Sequence, residues 1–275
     1  MDETALAIDP AKVCLWVPPD LKKFKLDLFN RIAATIERKG GRVVRHDERG
    51  LLDLPDEIIP IIGCHPPLRG RIAQWKARGR KFIYWDRGYC ARWFATCLPQ
   101  PASMELSYYR WHCDAYQLAR IRDVPDDRWK RINTEVKPWQ KNGRHIVIAA
   151  PTVTYSKLHG CENWIAETVA ALAKVTDRQL VIRDKEQYRR RPLQRDLEGA
   201  HALVTHGSNA ANEAIILGCP VFCHPSCAAA LVGKTDFSQI ERPVYPDRQP
   251  WLNSLGYSQF TEGEVLDGTM WKLID

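Results

Sequence analysis

The stretch His201–Cys223, HALVTHGSNAANEAIILGCPVFC, sets the strongest limit on what this chain can fold into. A short apolar run, Ala202-Leu203-Val204, ends in the polar turn Thr205-His206-Gly207-Ser208. The spacing that follows predicts a helix over Asn209–Leu217, stopped by Gly218, and then a strand at Pro220-Val221-Phe222. Strand, tight turn, helix and strand in so short a span build α/β sheets with parallel strands. In such sheets ligands sit where strand carboxyl ends meet helix amino ends, and unpaired N–H groups there suit a phosphate. Glu213 sharpens the expectation. If Ser208 caps the helix, a capping-box carboxylate belongs at Ala211, so capping does not explain Glu213. It is placed to accept hydrogen bonds from ribose hydroxyls, or else to lie on a solvated helix face.

The rest of the chain repeats the alternation. The first half reads as a strand at Lys12–Val17, a helix at Leu21–Lys39 ended by Gly40-Gly41, and a strand at Arg42–Arg45. A strand at Glu57–Gly63, a helix at Pro67–Arg78 and a strand at Lys81–Trp85 follow. Pro60 inside EIIPIIG predicts an edge or bulged position, because proline cannot donate to a ladder. Residues 91–140 lack clear periodicity and are expected to be irregular with short helices. The second half predicts strands at His145–Ala149 and Gln179–Arg183 and helices at Asn163–Lys174 and Leu193–Glu198. Thr261 and Glu264 fit a capping box for a last helix running to about Leu273.

The 275 residues allow one large domain or two small ones, with 45% hydrophobic residues as in ordinary globular proteins. No apolar run approaches the ~20 residues of a membrane span, so no membrane contact is expected. Met1–Pro10 is acidic and lacks the basic start of a signal peptide, which predicts a cytoplasmic protein. The nine cysteines are an odd number without a CxxC pair, as expected for reduced and partly buried thiols. Cys219, Cys223 and Cys227 recur every four residues around His224, but the strand between the first two argues against a shared metal. The formal charge of +7 points to an anionic partner: a sugar nucleotide, nucleic acid or a phosphorylated acceptor. Its local concentration in Lys185–Arg195, KEQYRRRPLQR, also fits a solvated loop and helix start. Neither G-x-G-x-x-G nor a P-loop is present, which argues against dinucleotide oxidoreduction and P-loop phosphoryl transfer.

The Ser-Asn-x-x-x-Glu-Ala and Gly-x-Pro-Val run resembles the nucleotide-binding half of GT-B glycosyltransferases, a motif that sugar epimerases of the same fold share. The resemblance implies an α/β fold of two Rossmann-like halves facing across a cleft, with a C-terminal helix crossing back. It divides the chain into an acceptor-side domain, 1–140, and a nucleotide-sugar-binding domain, 141–275. It also implies Gly207, Ser208 and Asn209 as diphosphate contacts and Glu213 as the ribose contact. More widely, the chain is similar to phage-encoded glycosyltransferase-like proteins through Tyr84-Trp85-Asp86-Arg87-Gly88-Tyr89, Pro246-Asp247-Arg248 and Gln259-Phe260-Thr261.

Sugar transfer requires stabilisation of a leaving diphosphate and removal of a proton from the acceptor hydroxyl. Arg183 and Lys185, after the strand Leu180-Val181-Ile182, are the expected leaving-group contacts, or else a surface pair beside Asp184 and Glu186. His206 is a further phosphate or sugar contact, or a structural cap of its turn. Asp86, at a strand end, is the first candidate base, with a salt bridge to Arg87 or Arg92 as the alternative. His65 is the second candidate, having a suitable unperturbed pKa. Arg87, Tyr89, Arg110 and His112 are expected acceptor contacts. The set Tyr108, Tyr109, Arg110, Trp111 and His112 either stacks on a sugar or base or packs in the core. There is no D-x-D sequence, so a metal-free site with no cofactor beyond a nucleotide-sugar donor, UDP-linked, is expected. Candidate acceptors are a hydroxymethylated pyrimidine in phage DNA or a surface polysaccharide. An epimerase and a catalytically inactive nucleotide- or nucleic-acid-binding protein are the alternatives.

Overall fold

Strand β1 (Val13–Val17, VCLWV) is apolar and buried at every position, as a parallel strand covered on both faces must be. The computed structural model describes residues 7–19, 21–46, 49–52, 54–63, 69–93, 97–184 and 191–275. The chain forms two compact units, one of Met1–Gly88, Ala102–Tyr116 and Tyr257–Asp275, the other of Tyr89–Pro101 and Gln117–Gly256. The division therefore does not fall at a single point near residue 140.

In the first unit, α1 (Lys23–Arg38) follows β1, then β2 (Arg42–Arg45), α2 (Arg49–Leu52), β3 (Ile59–Gly63), α3 (Arg69–Ala77), β4 (Ile83–Arg87) and β5 (Tyr108–Cys113). β1 pairs in parallel with β2 and β3, and β3 with β4, whereas β5 runs antiparallel to β4. Strand alternation sends Val13, Leu15 and Val17 to a face packed by Leu28, Phe29 and Ile32 of α1. Cys14 and Trp16 face the other way, onto Leu51, Ile72 and Trp75. Two expectations are corrected here. Pro60 lies in an interior strand rather than at an edge or a bulge. Its pairing partner in β1 is Cys14, and the β3–β4 ladder begins only at Ile61, one residue beyond the proline. The stretch expected to be irregular contains β5, whose residues pair from Tyr109↔Arg87 to Cys113↔Ile83.

The second unit contains α4 (Asp127–Ile132), β6 (His145–Ala149), α5 (Val153–His159), α6 (Trp164–Leu172), β7 (Gln179–Arg183), α7 (Leu193–Leu197), β8 (Ala200–Thr205), α8 (Ala210–Ile216), β9 (Val221–Cys223) and α9 (Gln249–Gly256). Its sheet has the order β7-β6-β8-β9, parallel throughout. The chain leaves β6 to one side to form β7 and returns on the other side to form β8. This places the topological switch point, where doubly wound sheets bind ligands, at the carboxyl ends of β6 and β8. Gly218 ends α8 with φ 84°, and a Cβ there would lie 2.0 Å from the Pro138 carbonyl oxygen. The Arg248 guanidinium donates to the Ile215 and Lys137 carbonyls (2.7 and 2.8 Å), a cation at the helix carboxyl end.

The tail adds β10 (Gln259–Thr261), α10 (Glu262–Leu266) and α11 (Thr269–Leu273) to the first unit. β10 pairs antiparallel with β5, giving the sheet order β10-β5-β4-β3-β1-β2. The Thr261–Glu264 capping box is present in both directions. Gly268, at φ 99°, divides the expected last helix into α10 and α11. Met270 and Trp271 join the core beneath α1, and Glu262 takes a forked ion pair from Arg31. Among the described residues no helix is long and apolar enough to cross a membrane.

Candidate functional site

The turn after β8 occupies the switch point of the second unit. Its backbone N–H groups at Gly207, Ser208 and Asn209 have no acceptor among the described residues. Ser208 accepts from the Ala210 N–H through its hydroxyl (3.3 Å). Opposite lies α5, a helix that the sequence reading missed; Thr152 caps it by accepting from the Tyr155 N–H (3.1 Å). The Pro151-Thr152 pair after a strand was the available signal. The Tyr155 hydroxyl shares a hydrogen bond with Nδ1 of His206 (3.1 Å), and its ring stacks on His159 at 4.0 Å. On the other side His206 stacks on the exposed His224 at 4.3 Å, the rings 8° from parallel. The carboxyl ends of β6, β8 and β9 thus gather a phenol and three imidazoles beside the turn. Among the described residues no group of three His, Cys, Asp or Glu side chains is placed to hold a metal ion.

Burial holds the His206 imidazole well below its ordinary value, at about 4, with His224 adding to the effect. His206 is therefore neutral near pH 7, and it meets any ligand as a hydrogen-bonding ring rather than as a cation. Between its ordinary value near 6.5 and about 4 the unfolded chain binds a proton that the folded chain does not, so stability rises with pH across that window. We expect this one residue to remove about 2–3 kcal/mol of stability between about pH 7 and about pH 4.5. Urea unfolding of the wild type and of His206→Gln at both values checks this, and the variant should lose that much of the pH slope.

Glu213 lies in α8 as expected but is not solvated: it is 3% exposed. Its carboxylate forms an ion pair with the buried Arg92 and accepts from the Cys97 N–H (3.0 Å) and thiol (2.9 Å). Burial and the Glu213 charge push the Cys97 thiol far above its ordinary range, so it stays protonated as a donor. The Asn209 side-chain amide donates to the Tyr89 carbonyl (2.9 Å) and to Glu213 (3.4 Å) and accepts from Asn212 (3.0 Å). The turn, α8 and the segment around Tyr89 and Arg92 are therefore one polar network.

Arg183 ends β7 opposite Ala149, at the carboxyl edge of the sheet. Its guanidinium forms an ion pair with the fully buried Asp196 and donates to the Arg191 carbonyl (2.7 Å), rather than standing beside Asp184 at the surface. Lys185 and His65 lie outside the described residues.

In the first unit, Asp86 and Arg87 lie within β4, which runs two residues beyond Trp85, where the sequence ended that strand. Asp86 faces Arg110 across the β4–β5 ladder and binds its guanidinium at 2.9 Å, in place of the expected partners Arg87 or Arg92. It also accepts from the Tyr84 hydroxyl (3.3 Å) and the Arg87 N–H (2.8 Å) and keeps 37% of its side chain exposed. His112 is 3% exposed. Trp111 stacks on Trp85 at 4.9 Å, so the Tyr108–His112 set is largely core. Tyr89 belongs to the second unit and is wholly buried, and its hydroxyl accepts from the Leu118 N–H (2.6 Å).

No protein-family model matches the chain, and no curated protein does so. Among solved structures it is similar to the β-Kdo 2,7 transferase of Thermosulfurimonas dismutans KpsC, with a TM-score of 0.50 and 10% identity over 94% of this chain and 98% of that one. The chain has a GT-B-like fold. The β-Kdo 2,4 transferase of the same KpsC also matches, at a TM-score of 0.47 and 11% identity over the same shares of each chain. The GT-B-like assignment agrees with the two largely parallel sheets and with the tail that returns to the first of them.

Proposed function

We propose that this protein is a glycosyltransferase that takes a sugar from a nucleotide-sugar donor and moves it to a hydroxyl of a surface polysaccharide. The observation that carries the reading is the turn at the β6–β8 switch point, where Gly207, Ser208 and Asn209 offer N–H groups that have no acceptor among the described residues. In a GT-B-like fold this is where a donor diphosphate belongs, and oriented N–H groups there would stabilise the charge that develops as the sugar leaves. His206, neutral and tied to Tyr155, supplies a hydrogen bond beside the phosphates. Glu213 meets the ribose only if its contact with Arg92 opens; as it stands, it supports the turn through Asn209. Asp86 is the proposed base, held by Arg110, with Arg87 nearby for the acceptor. A polysaccharide acceptor is favoured by the similarity of fold to a Kdo transferase. The formal charge of +7 keeps DNA as the rival acceptor.

A panel of UDP, GDP, CMP and ADP, each with its common sugar conjugates, tests the donor assignment by thermal shift. One base family should raise the melting temperature of the wild type, and Gly207→Ala should abolish the response, because an added Cβ would lie 2.0 Å from the Tyr155 hydroxyl. Silence from every nucleotide would remove the reading. DNA as acceptor would show binding that weakens steeply with salt, whereas a neutral glycan would show a flat dependence.

A further inference from the structure

We infer that Gln117 is a positioning residue that aims the phosphate-binding N–H groups of the signature turn, an inference that depends on the donor reading above. Gln117 lies between β5 and α4, in a stretch without sequence periodicity, and the residue is 5% exposed. Both ends of its amide are used. Nε2 donates to the Gly207 carbonyl at 2.9 Å, and Oε1 accepts from the Ala228 N–H at 3.1 Å. These opposite demands fix which end of the amide is which and tie the turn after β8 to the segment after β9.

The consequence follows from peptide geometry. In a trans peptide the carbonyl of one residue and the N–H of the next point in opposite directions, and among the described residues there is no cis peptide bond. Drawing the Gly207 carbonyl toward Gln117 therefore turns the Ser208 N–H away from it. That N–H is among those with no acceptor among the described residues. Tyr155 crowds the same residue: a Cβ built on Gly207 would lie 2.0 Å from its hydroxyl and 3.4 Å from Gln117 Nε2. Both side chains thus crowd Gly207, and the Gln117 hydrogen bond to its carbonyl sets the orientation of the peptide plane after it. If the Gln117 contact is lost, the plane can turn and the Ser208 N–H is no longer presented.

The test separates positioning from general support by comparing a nucleoside with its diphosphate, using the base that the panel selects. In the wild type the diphosphate should bind more tightly than the nucleoside. Gln117→Met should lower the diphosphate affinity about tenfold while leaving nucleoside affinity unchanged, since one well-directed hydrogen bond is worth about that factor. Gln117→Glu keeps the Ala228 contact but cannot donate to the Gly207 carbonyl, so it should show the same selective loss even if the methionine variant folds poorly. A variant that retains the full preference for the diphosphate, or that loses nucleoside and diphosphate affinity equally, would overturn the inference while leaving the donor site standing. A wild type that binds neither ligand would overturn the donor reading itself, and the inference with it.

Discussion

Replacing Arg92 with methionine is expected to lower the free energy of unfolding by about 3–5 kcal/mol, among the largest effects of any single change in this chain. Arg92 and Glu213 are 121 residues apart in sequence, yet their side chains are only 9% and 4% exposed and form a direct ion pair. Removing the cation leaves a carboxylate in a medium that hydrates it poorly, with the Cys97 and Asn209 donors remaining among the described residues. Replacing both members with methionine should cost much less than either single change, because an apolar pair of similar volume leaves no stranded charge. A double-mutant cycle by urea denaturation measures the coupling. A loss below about 0.5 kcal/mol for Arg92→Met would show that the pair is not formed in solution, since surface changes fall in that range.

Arg183→Met should destabilise the second unit by about 3 kcal/mol. Its partner Asp196 has no exposed side-chain surface, and Arg191, half exposed, also reaches it. The sequence offered Arg183 as a ligand for the leaving diphosphate, and its position at the end of β7 suits that role. The two roles separate in one experiment. A purely ligand-binding arginine would leave the melting temperature of the free protein near the wild-type value and change only the nucleotide response. An arginine engaged by Asp196 lowers the melting temperature with no ligand present, and Arg183→Met combined with Asp196→Leu recovers part of it.

The parallel strands were legible because a strand buried on both faces reads as a continuous apolar run, as VCLWV, HIVIA and HALVT do. The signature turn was legible for a related reason: Gly207 and Gly218 stand where a side chain would collide with a hydroxyl or a carbonyl. β5 was not legible. Its residues YYRWHC are large on both faces, so no alternation marks it, and what makes it a strand is pairing with β4 and β10. Pro60 misled because an edge position is its usual site; here the neighbouring ladder begins one residue later, so the missing N–H costs no β3–β4 bond. The partners of the candidate site were hidden for the same reason as β5. Arg92, Cys97 and Gln117 lie in the stretch without periodicity, and nothing in their local sequence shows that they reach Glu213 and Gly207. Sequence patterns report burial and local geometry; they do not report which distant group satisfies a buried charge.

The most direct test of the account is a transfer assay on the intact protein. Nucleotide sugars of the base selected by binding are incubated with polysaccharide fragments, and both the freed nucleotide and the enlarged glycan are measured by mass spectrometry. The expected result is nucleotide release that depends on the acceptor, with a matching sugar added to the glycan, and loss of both in Gly207→Ala at temperatures where that variant remains folded. Nucleotide binding without any release, with every acceptor tried, would contradict a glycosyltransferase and leave a binding protein of the same fold.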